Sequence, residues 1–435
     1  MNARELRDLF LLDPSVVFLN HGSFGACPEP VFDTYQRWQR ELERQPVLFL
    51  GRRADALLDE ARAHLAAYLG THAENLVFVA NATVGGNTVA RALKLKPGDE
   101  ILTTDHEYGA MDKTWEFICG RTGAVYVRHR VPLPVTTHEA FVESFWSAVT
   151  PRTRVIFMSH ITSPTALRFP IEAICRRARE AGILTIIDGA HAPGQIPLDL
   201  EAIGADFYTG NCHKWLCAPK GAAFLYARPE HHAASEPLVV SWGWSSEATF
   251  VQKHQWQGTR DIAAYLSIPA AIDFQVAHDW DAVRERCHEL ARQARRRMTE
   301  ITGLEAISPD SRDWFMQLAT MPIPACDGAA LQRRLWEEHR IEIPFVNWNG
   351  GHYLRLSVQG YTTAEEVEAL MSGCRGEPTC SPVNGGRRHS SAPTTARLFS
   401  WNSLSSGYRE LLEGPAASRG ITARIEPVVV AARFA

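Results

Sequence analysis

Long hydrophobic runs are missing from this chain. The longest apolar stretches, such as Leu184-Thr185-Ile186-Ile187, have the length of a strand, whereas a bilayer-crossing helix takes about 20 apolar residues. No membrane span is expected. The first residues, Met1-Asn2-Ala3-Arg4-Glu5-Leu6-Arg7-Asp8, alternate charge and hold no apolar core, so the expectation is a cytoplasmic protein without a signal peptide. An excess of basic charge is also missing. A net charge of −4 leaves no chain-wide positive field to attract nucleic acid. Paired Cys-x-x-Cys units are absent too. The nine cysteines are scattered, which argues against a zinc site, and Cys212 and Cys217 read as buried thiols in a reducing compartment.

What is present is ordinary in bulk and specific in detail. The 435 residues, 45% hydrophobic and 22% charged, suit a globular protein with two domains and a large core. From Asn75 to Tyr226 short apolar runs alternate with amphipathic stretches. Strands are expected at Asn75–Val79, Glu100–Thr103, Ala124–Arg128, Thr153–Ser159, Leu184–Asp188, Phe207–Gly210 and Ala222–Tyr226. Helices are expected at Thr83–Leu93, Tyr108–Cys119, Thr137–Val149 and Ile171–Ala181. This alternation predicts an α/β fold with a mostly parallel sheet covered on both faces. Ligands of such sheets sit beyond the carboxyl ends of the strands, where Asn81, Asp105, Ser159 and Asp188 converge.

From about Asp261 the texture changes. Helices are expected at Ala264–Ala277, Trp280–Ile301 and Thr363–Met371, with strands near Trp314–Thr320, Ile341–Val346 and Tyr353–Ser357. These compose a smaller α+β domain. Beyond about Gly376 the chain is polar and turn-rich, which reads as a weakly ordered tail.

The stretch Tyr208-Thr209-Gly210-Asn211-Cys212-His213-Lys214-Trp215-Leu216 presents a lysine behind small polar residues. Just upstream, Thr185-Ile186-Ile187-Asp188-Gly189-Ala190-His191 ends an apolar run in an acid. Pyridoxal phosphate asks for both: a lysine to form a Schiff base and an acid to keep its pyridine nitrogen protonated. Lys214 must then be buried and unprotonated, which desolvation favours. Asn81-Ala82-Thr83-Val84-Gly85-Gly86 joins a strand to a helix and can hold a phosphate at the helix N-terminus, although Asn81 or Thr83 would equally cap an ordinary helix. His213 and Asn211 can reach the same anion. Either His106 or Tyr108 could stack on the cofactor ring. Gln257-Gly258-Thr259-Arg260 is a further phosphate-binding candidate, from a neighbouring subunit. Arg355, among apolar residues on an expected strand, calls for an anionic partner, and a substrate α-carboxylate fits its bidentate guanidinium.

In this order the segments resemble the class V aminotransferase family of fold-type I pyridoxal-phosphate enzymes, from about Val17 to Met371. Within it they are most similar to the isopenicillin N epimerase-like group, through Phe18-Leu19-Asn20-His21-Gly22-Ser23-Phe24-Gly25, Asp105-His106-Glu107-Tyr108-Gly109-Ala110 and Ser159-His160-Ile161-Thr162-Ser163-Pro164-Thr165. The resemblance implies that Lys214 is the Schiff-base lysine, that Asp188 holds the pyridine nitrogen, and that His191 or Thr162 holds the ring oxygen. It implies that Ala82, Thr83, Asn211 and His213 take the phosphate, with Thr259 from the partner of a homodimer that shares its active sites. Tyr108 would stack on the ring, with His106 as second choice. Arg355 would bind the substrate carboxylate, with Asn20 and His21 near the substrate. The implied organisation is an N-terminal segment 1–19 packed on the small domain, a large cofactor-binding domain 20–262 with a seven-stranded-type sheet, a small domain 263–375 and the tail 376–435. The implied activity is chemistry at Cα of an amino-acid or peptide substrate through an external aldimine. Epimerisation leads; β-lysis of a C–S bond, transamination and a non-catalytic cofactor-binding role are the alternatives. The chain departs from the family's desulfurases, which carry a mobile catalytic cysteine in a Ser/Gly-rich loop. In the corresponding stretch Cys287 lies in a charged helical segment and Cys326 follows Pro322-Ile323-Pro324-Ala325.

Overall fold

Successive residues of the central strands go to opposite faces, and on this chain both faces are apolar. The computed structural model describes residues 1–375, all within one compact unit. The expectation for the tail 376–435 falls outside the described residues. Twelve strands occur among the described residues, in chain order: β1 Val17–Phe18, β2 Leu76–Val79, β3 Glu100–Thr104, β4 Val125–His129, β5 Thr153–Ser159, β6 Leu184–Asp188, β7 Phe207–Asn211, β8 Ala223–Ala227, β9 Leu318–Ile323, β10 Ile341–Glu342, β11 Phe345–Trp348 and β12 Gly351–Ser357. Seven of them form one sheet in the order β2-β8-β7-β6-β5-β3-β4, parallel throughout except for β8.

Alternation places Val155, Phe157 and Ile186 in one apolar layer and Ile156, Met158 and Ile187 in the other. Val77 and Val79 against Leu76 and Phe78, and Ile101 against Leu102, repeat the pattern. Each fully buried side chain of this size is worth about 1.5–3 kcal/mol, so both layers must be covered by helices, as the βα alternation requires. Among the described residues no helix is long and apolar enough to cross a membrane.

A three-stranded antiparallel sheet, β11-β12-β9, forms a second layer, packed on the long helix Trp280–Thr302 through β9. The N-terminal strand β1 pairs in parallel with β10, so the start of the chain is tied to residues 341–342. Most expected elements shift by only a few residues at their ends, and three larger differences have local causes. The strand expected near Trp314–Thr320 starts later, because the amides of Trp314 and Phe315 turn back onto Ser311 and those of Gln317 and Leu318 are taken by the Gln195 side chain. The strand expected at Ile341–Val346 is split in two at Ile343-Pro344, where proline has no N–H to give. The helix expected at Ala264–Ala277 breaks at Ser267, ahead of Pro269.

Candidate active site

The ends of β5, β6 and β7 open on one cavity of about 220 Å³, at the carboxyl edge of the sheet. Its walls include Lys214, His191, Asp188, Ser159, Thr83 and Tyr108. Lys214 sits in the turn that follows β7. Two close approaches hold that turn. Gly194, at φ +86°, leaves no room for a Cβ, which would lie 2.3 Å from the Trp215 backbone. Gly25, at φ +73°, meets the His213 carbonyl oxygen in the same way at 2.0 Å.

The lysine amine is 3.2 Å from His191 Nε2. On the other side of that ring the indole Nε1–H of Trp215 donates to His191 Nδ1 at 3.3 Å. An indole has only a hydrogen to give, so Nδ1 accepts and the hydrogen of a neutral imidazole stands on Nε2. Nε2–H then needs a lone pair, and an unprotonated lysine amine has one. Burial drives Lys214 in the same direction, down to about 7, aided by the charge of Arg355 and opposed by Asp188. Burial likewise holds His191 well below its ordinary value.

Asp188 closes β6. Its Oδ1 accepts the Ala190 amide at 2.9 Å, and burial raises its pKa. Its Cα is in register with Ser159 at the end of β5. The helix Ala82–Ala92 starts at the same edge, capped by Asn81, whose side chain accepts the Val84 amide. The Ala82 amide is taken at 2.8 Å by Asn211 Oδ1. The amide and hydroxyl of Thr83 bond no other described residue, which leaves free donors at a helix N-terminus. His213 lines the cavity with Nδ1 bound to the Ala222 carbonyl at 3.1 Å, and burial lowers its pKa to about 4.

Arg355 reaches the cavity wall from β12. Nη1 donates to the Ser163 carbonyl at 2.6 Å, and Nη2 donates to Ser23 Oγ at 3.0 Å. Ser23 passes its own hydrogen to Asn20 Oδ1 at 2.5 Å, and the Asn20 amide donates to Glu342 at 2.8 Å. No carboxylate pairs with the guanidinium among the described residues, and its Nε is buried without a partner. Burial lowers Arg355 to about 10, so it keeps its charge. A buried cation without a counter-ion is a standing invitation to an anion.

These donors match the parts of pyridoxal phosphate: free N–H and O–H groups for the phosphate, a carboxylate for the pyridine nitrogen and a free amine for the aldehyde. Of the remaining expected residues, Tyr108 lines the cavity and His106, Thr162, His21 and Thr259 do not. His106 is fully buried behind the wall, its Nδ1 2.6 Å from Thr165 Oγ1 and its ring 4.0 Å from that of Trp348. Its neighbour Tyr108, 40% exposed, is the one that lines the cavity. The Thr162 hydroxyl is turned to Thr165 and the Leu167 amide, so Ile161 and Ser163 form that wall. His21 lies beneath the lysine segment, bonded to Tyr361 and the Lys214 carbonyl, with its pKa lowered by burial to about 3. Thr259 is exposed in the loop after Phe250–Gln255 and does not line the cavity. Ser23, Ser163 and Phe24 were not singled out from the sequence. Their only signal is position inside the Asn20–Gly25 and Ser159–Thr165 stretches.

Residues 25–370 match the family model described as aminotransferase class-V. The chain is 38% identical over 387 residues to isopenicillin N epimerase of Amycolatopsis lactamdurans, covering 85% of this chain and 97% of that protein. It is 37% identical to the epimerase of Streptomyces clavuligerus (84% and 96%) and 27% identical to a probable chloroplastic L-cysteine desulfhydrase of Arabidopsis thaliana (84% and 83%). Among solved structures it is similar to the cysteine desulfurase CsdA of Escherichia coli, with TM-score 0.73, 22% identity and coverage of 86% and 98%. It is also similar to a C-DES variant with glycine covalently linked to its PLP cofactor, with TM-score 0.72, 20% identity and coverage of 86% and 98%.

Proposed function

Because the chain belongs to the class V aminotransferase family, and is a pyridoxal 5′-phosphate-dependent enzyme of fold type I, we propose that it inverts the Cα centre of an amino-acid or peptide substrate. The identity to two isopenicillin N epimerases supports this. The observation that carries the chemistry is the buried Lys214 amine, its pKa lowered by burial to about 7, 3.2 Å from His191 Nε2 in a cavity that also holds Asp188.

When bound, the cofactor supplies a ring that takes up the electron pair left as the Cα proton departs. Lys214 is the residue that carries it and the base that takes the Cα proton, since its lone pair is available near neutral pH. Asp188 keeps the pyridine nitrogen protonated. The ring oxygen falls to His191 Nε2–H. Thr83, Asn211 and His213 hold the phosphate, and His213 Nε2 takes a proton there because a nearby dianion favours its charged form. Arg355 holds the substrate carboxylate. Inversion requires a second acid on the opposite face. Among the ionisable residues lining the cavity, Lys214, His191, Asp188 and His213 are already assigned, which leaves the Tyr108 phenol.

The reading takes residues 20–262 as the cofactor-holding part and 263–375 as the part that brings Arg355. It also takes the enzyme to be a cytoplasmic homodimer, with Thr259 completing the partner's phosphate site. The exposed run Leu238, Val239, Val240, Trp242 and Trp244 is the kind of apolar surface that a second copy covers. The second reading is a C–S β-lyase, favoured by the likeness to the desulfhydrase. A desulfurase is disfavoured: Cys287 is buried in the helix Trp280–Thr302 with its pKa pushed up to about 12, and neither it nor Cys326 lines the cavity. Incubation with candidate amino acids in deuterated water decides between the two. Deuterium at Cα with inversion supports the epimerase; keto acid and ammonia without inversion overturn it in favour of the lyase.

A further inference from the structure

Glu107 has no part in the chemistry above, yet it stands directly behind it. It is buried, next to Tyr108, and does not itself line the cavity. Its Oε2 lies 2.9 Å from the Ser159 amide and 2.6 Å from Ser159 Oγ, and its Oε1 lies 2.6 Å from Thr104 Oγ1. No cation pairs with it among the described residues. Ser159 lines the cavity, in register with Asp188. Burial pushes the Glu107 carboxyl up to about 8, and the Asp188 carboxylate at the end of β6 and Asp112 on the helix Gly109–Thr122 push the same way. The hydrogen bonds from Ser159 and Thr104 oppose this. Tyr126 on β4 is the other titratable group that feels Glu107.

A neutral carboxylic acid must give its hydrogen to a lone pair. The buried Thr104 hydroxyl accepts the His106 amide at 3.2 Å, and its own hydrogen has no acceptor among the described residues other than Glu107 Oε1, so that oxygen accepts. The Ser159 hydroxyl bonds no other described residue besides Glu107. We infer that Glu107 is a positioning residue: as the neutral acid it donates to Ser159 Oγ and so turns the Ser159 hydroxyl hydrogen into the cavity beside Asp188. Ionisation reverses the bond. Ser159 then gives its hydrogen to the Glu107 carboxylate and presents only lone pairs next to Asp188, which raises the cost of a second negative charge at that end of the site. The state of one buried proton thus sets whether the Asp188 end of the cavity gains or loses a hydrogen-bond donor.

The inference rests on this cavity being the cofactor's seat, but the proton on Glu107 can be read without cofactor. Infrared spectra of the full-length apoprotein, wild type minus Glu107→Gln, should contain the C=O stretch of a neutral carboxylic acid below about pH 8 and lose it above. Absence of that band at both pH values overturns the inference even if the cofactor binds as described. In the holoenzyme, the pH titration of the visible cofactor band should contain a one-proton step with the same midpoint. Glu107→Gln should lack the step, because its side chain has no proton to lose in this range. Ser159→Ala should lack the step while keeping the infrared band, which a merely structural role for Glu107 does not produce. Identical titrations in wild type and Glu107→Gln overturn the inference. A wild-type protein that forms no visible band overturns it together with the cofactor seat.

Discussion

Two buried cationic side chains serve the same cavity, Lys214 in its wall and Arg355 behind the wall residues Ser23 and Ser163, and the protein treats them in opposite ways. Lys214 is offered an imidazole N–H and no anion in contact, and burial takes its proton away near neutral pH. Arg355 is offered a carbonyl and two serine hydroxyl oxygens, and it remains charged. A guanidinium spreads its charge over a planar fork that neutral oxygens can satisfy, whereas an ammonium is a compact charge that costs more to desolvate. The cavity wall provides a lone pair, and the layer behind Ser23 and Ser163 keeps an unspent positive charge. The two are coupled, because the Arg355 charge is one cause of the lowered Lys214 pKa.

Removing the lysine should break the first of these outright. Lys214→Ala is expected to lower turnover by about 10³-fold or more and to abolish the visible band of lysine-bound cofactor; a surviving band would remove Lys214 from its role. Asp188→Asn should keep the band and lower kcat by about 10²-fold, read from steady-state rates. Behind the wall, Arg355→Ala should raise KM by about 30-fold, equivalent to ~2 kcal/mol of a buried charged contact, and spare the band. Unchanged substrate kinetics would take Arg355 out of the site. The coupling itself is tested by cofactor reconstitution. Only the neutral amine reacts, so the rate should be flat above the Lys214 pKa of about 7 and fall about tenfold per pH unit below it. In Arg355→Ala that midpoint should move upward, because a neighbouring positive charge has gone. The smallest effect is expected for Thr259→Ala, a few-fold weaker cofactor binding, measured by equilibrium dialysis.

Much of this arrangement is legible along the chain, for reasons that differ by residue. The strands of the large sheet announce themselves because two apolar faces leave continuous runs such as Ile183–Ile187, and Lys214 and Asp188 stand out because they end or follow those runs. Helices Glu29–Arg44 and Ala54–Tyr68 precede the first strand of that sheet, so no strand–helix alternation announces them. Which of two adjacent residues faces a cavity is a matter of backbone direction. His106 turns to Thr165 and Trp348 while Tyr108 lines the wall, and Thr162 turns inward while Ser163 does not. The partners of Arg355 are 192 and 332 residues away in sequence, a distance no local pattern encodes.

The β1–β10 pairing bears on the order in which the molecule is made. The wall segment Asn20–Phe24 is held by Glu342, Ser357 and Tyr361, across separations of 322, 335 and 340 residues. A ribosome delivers that segment more than 300 residues before its clasps. Lys214 and Asp188 therefore emerge and take their places in the sheet before the near wall can be fastened over them. Loading of the cofactor on a nascent chain would take place in an open basin, and the stretch from Glu342 to Tyr361, which carries all three clasps, converts that basin into a closed room.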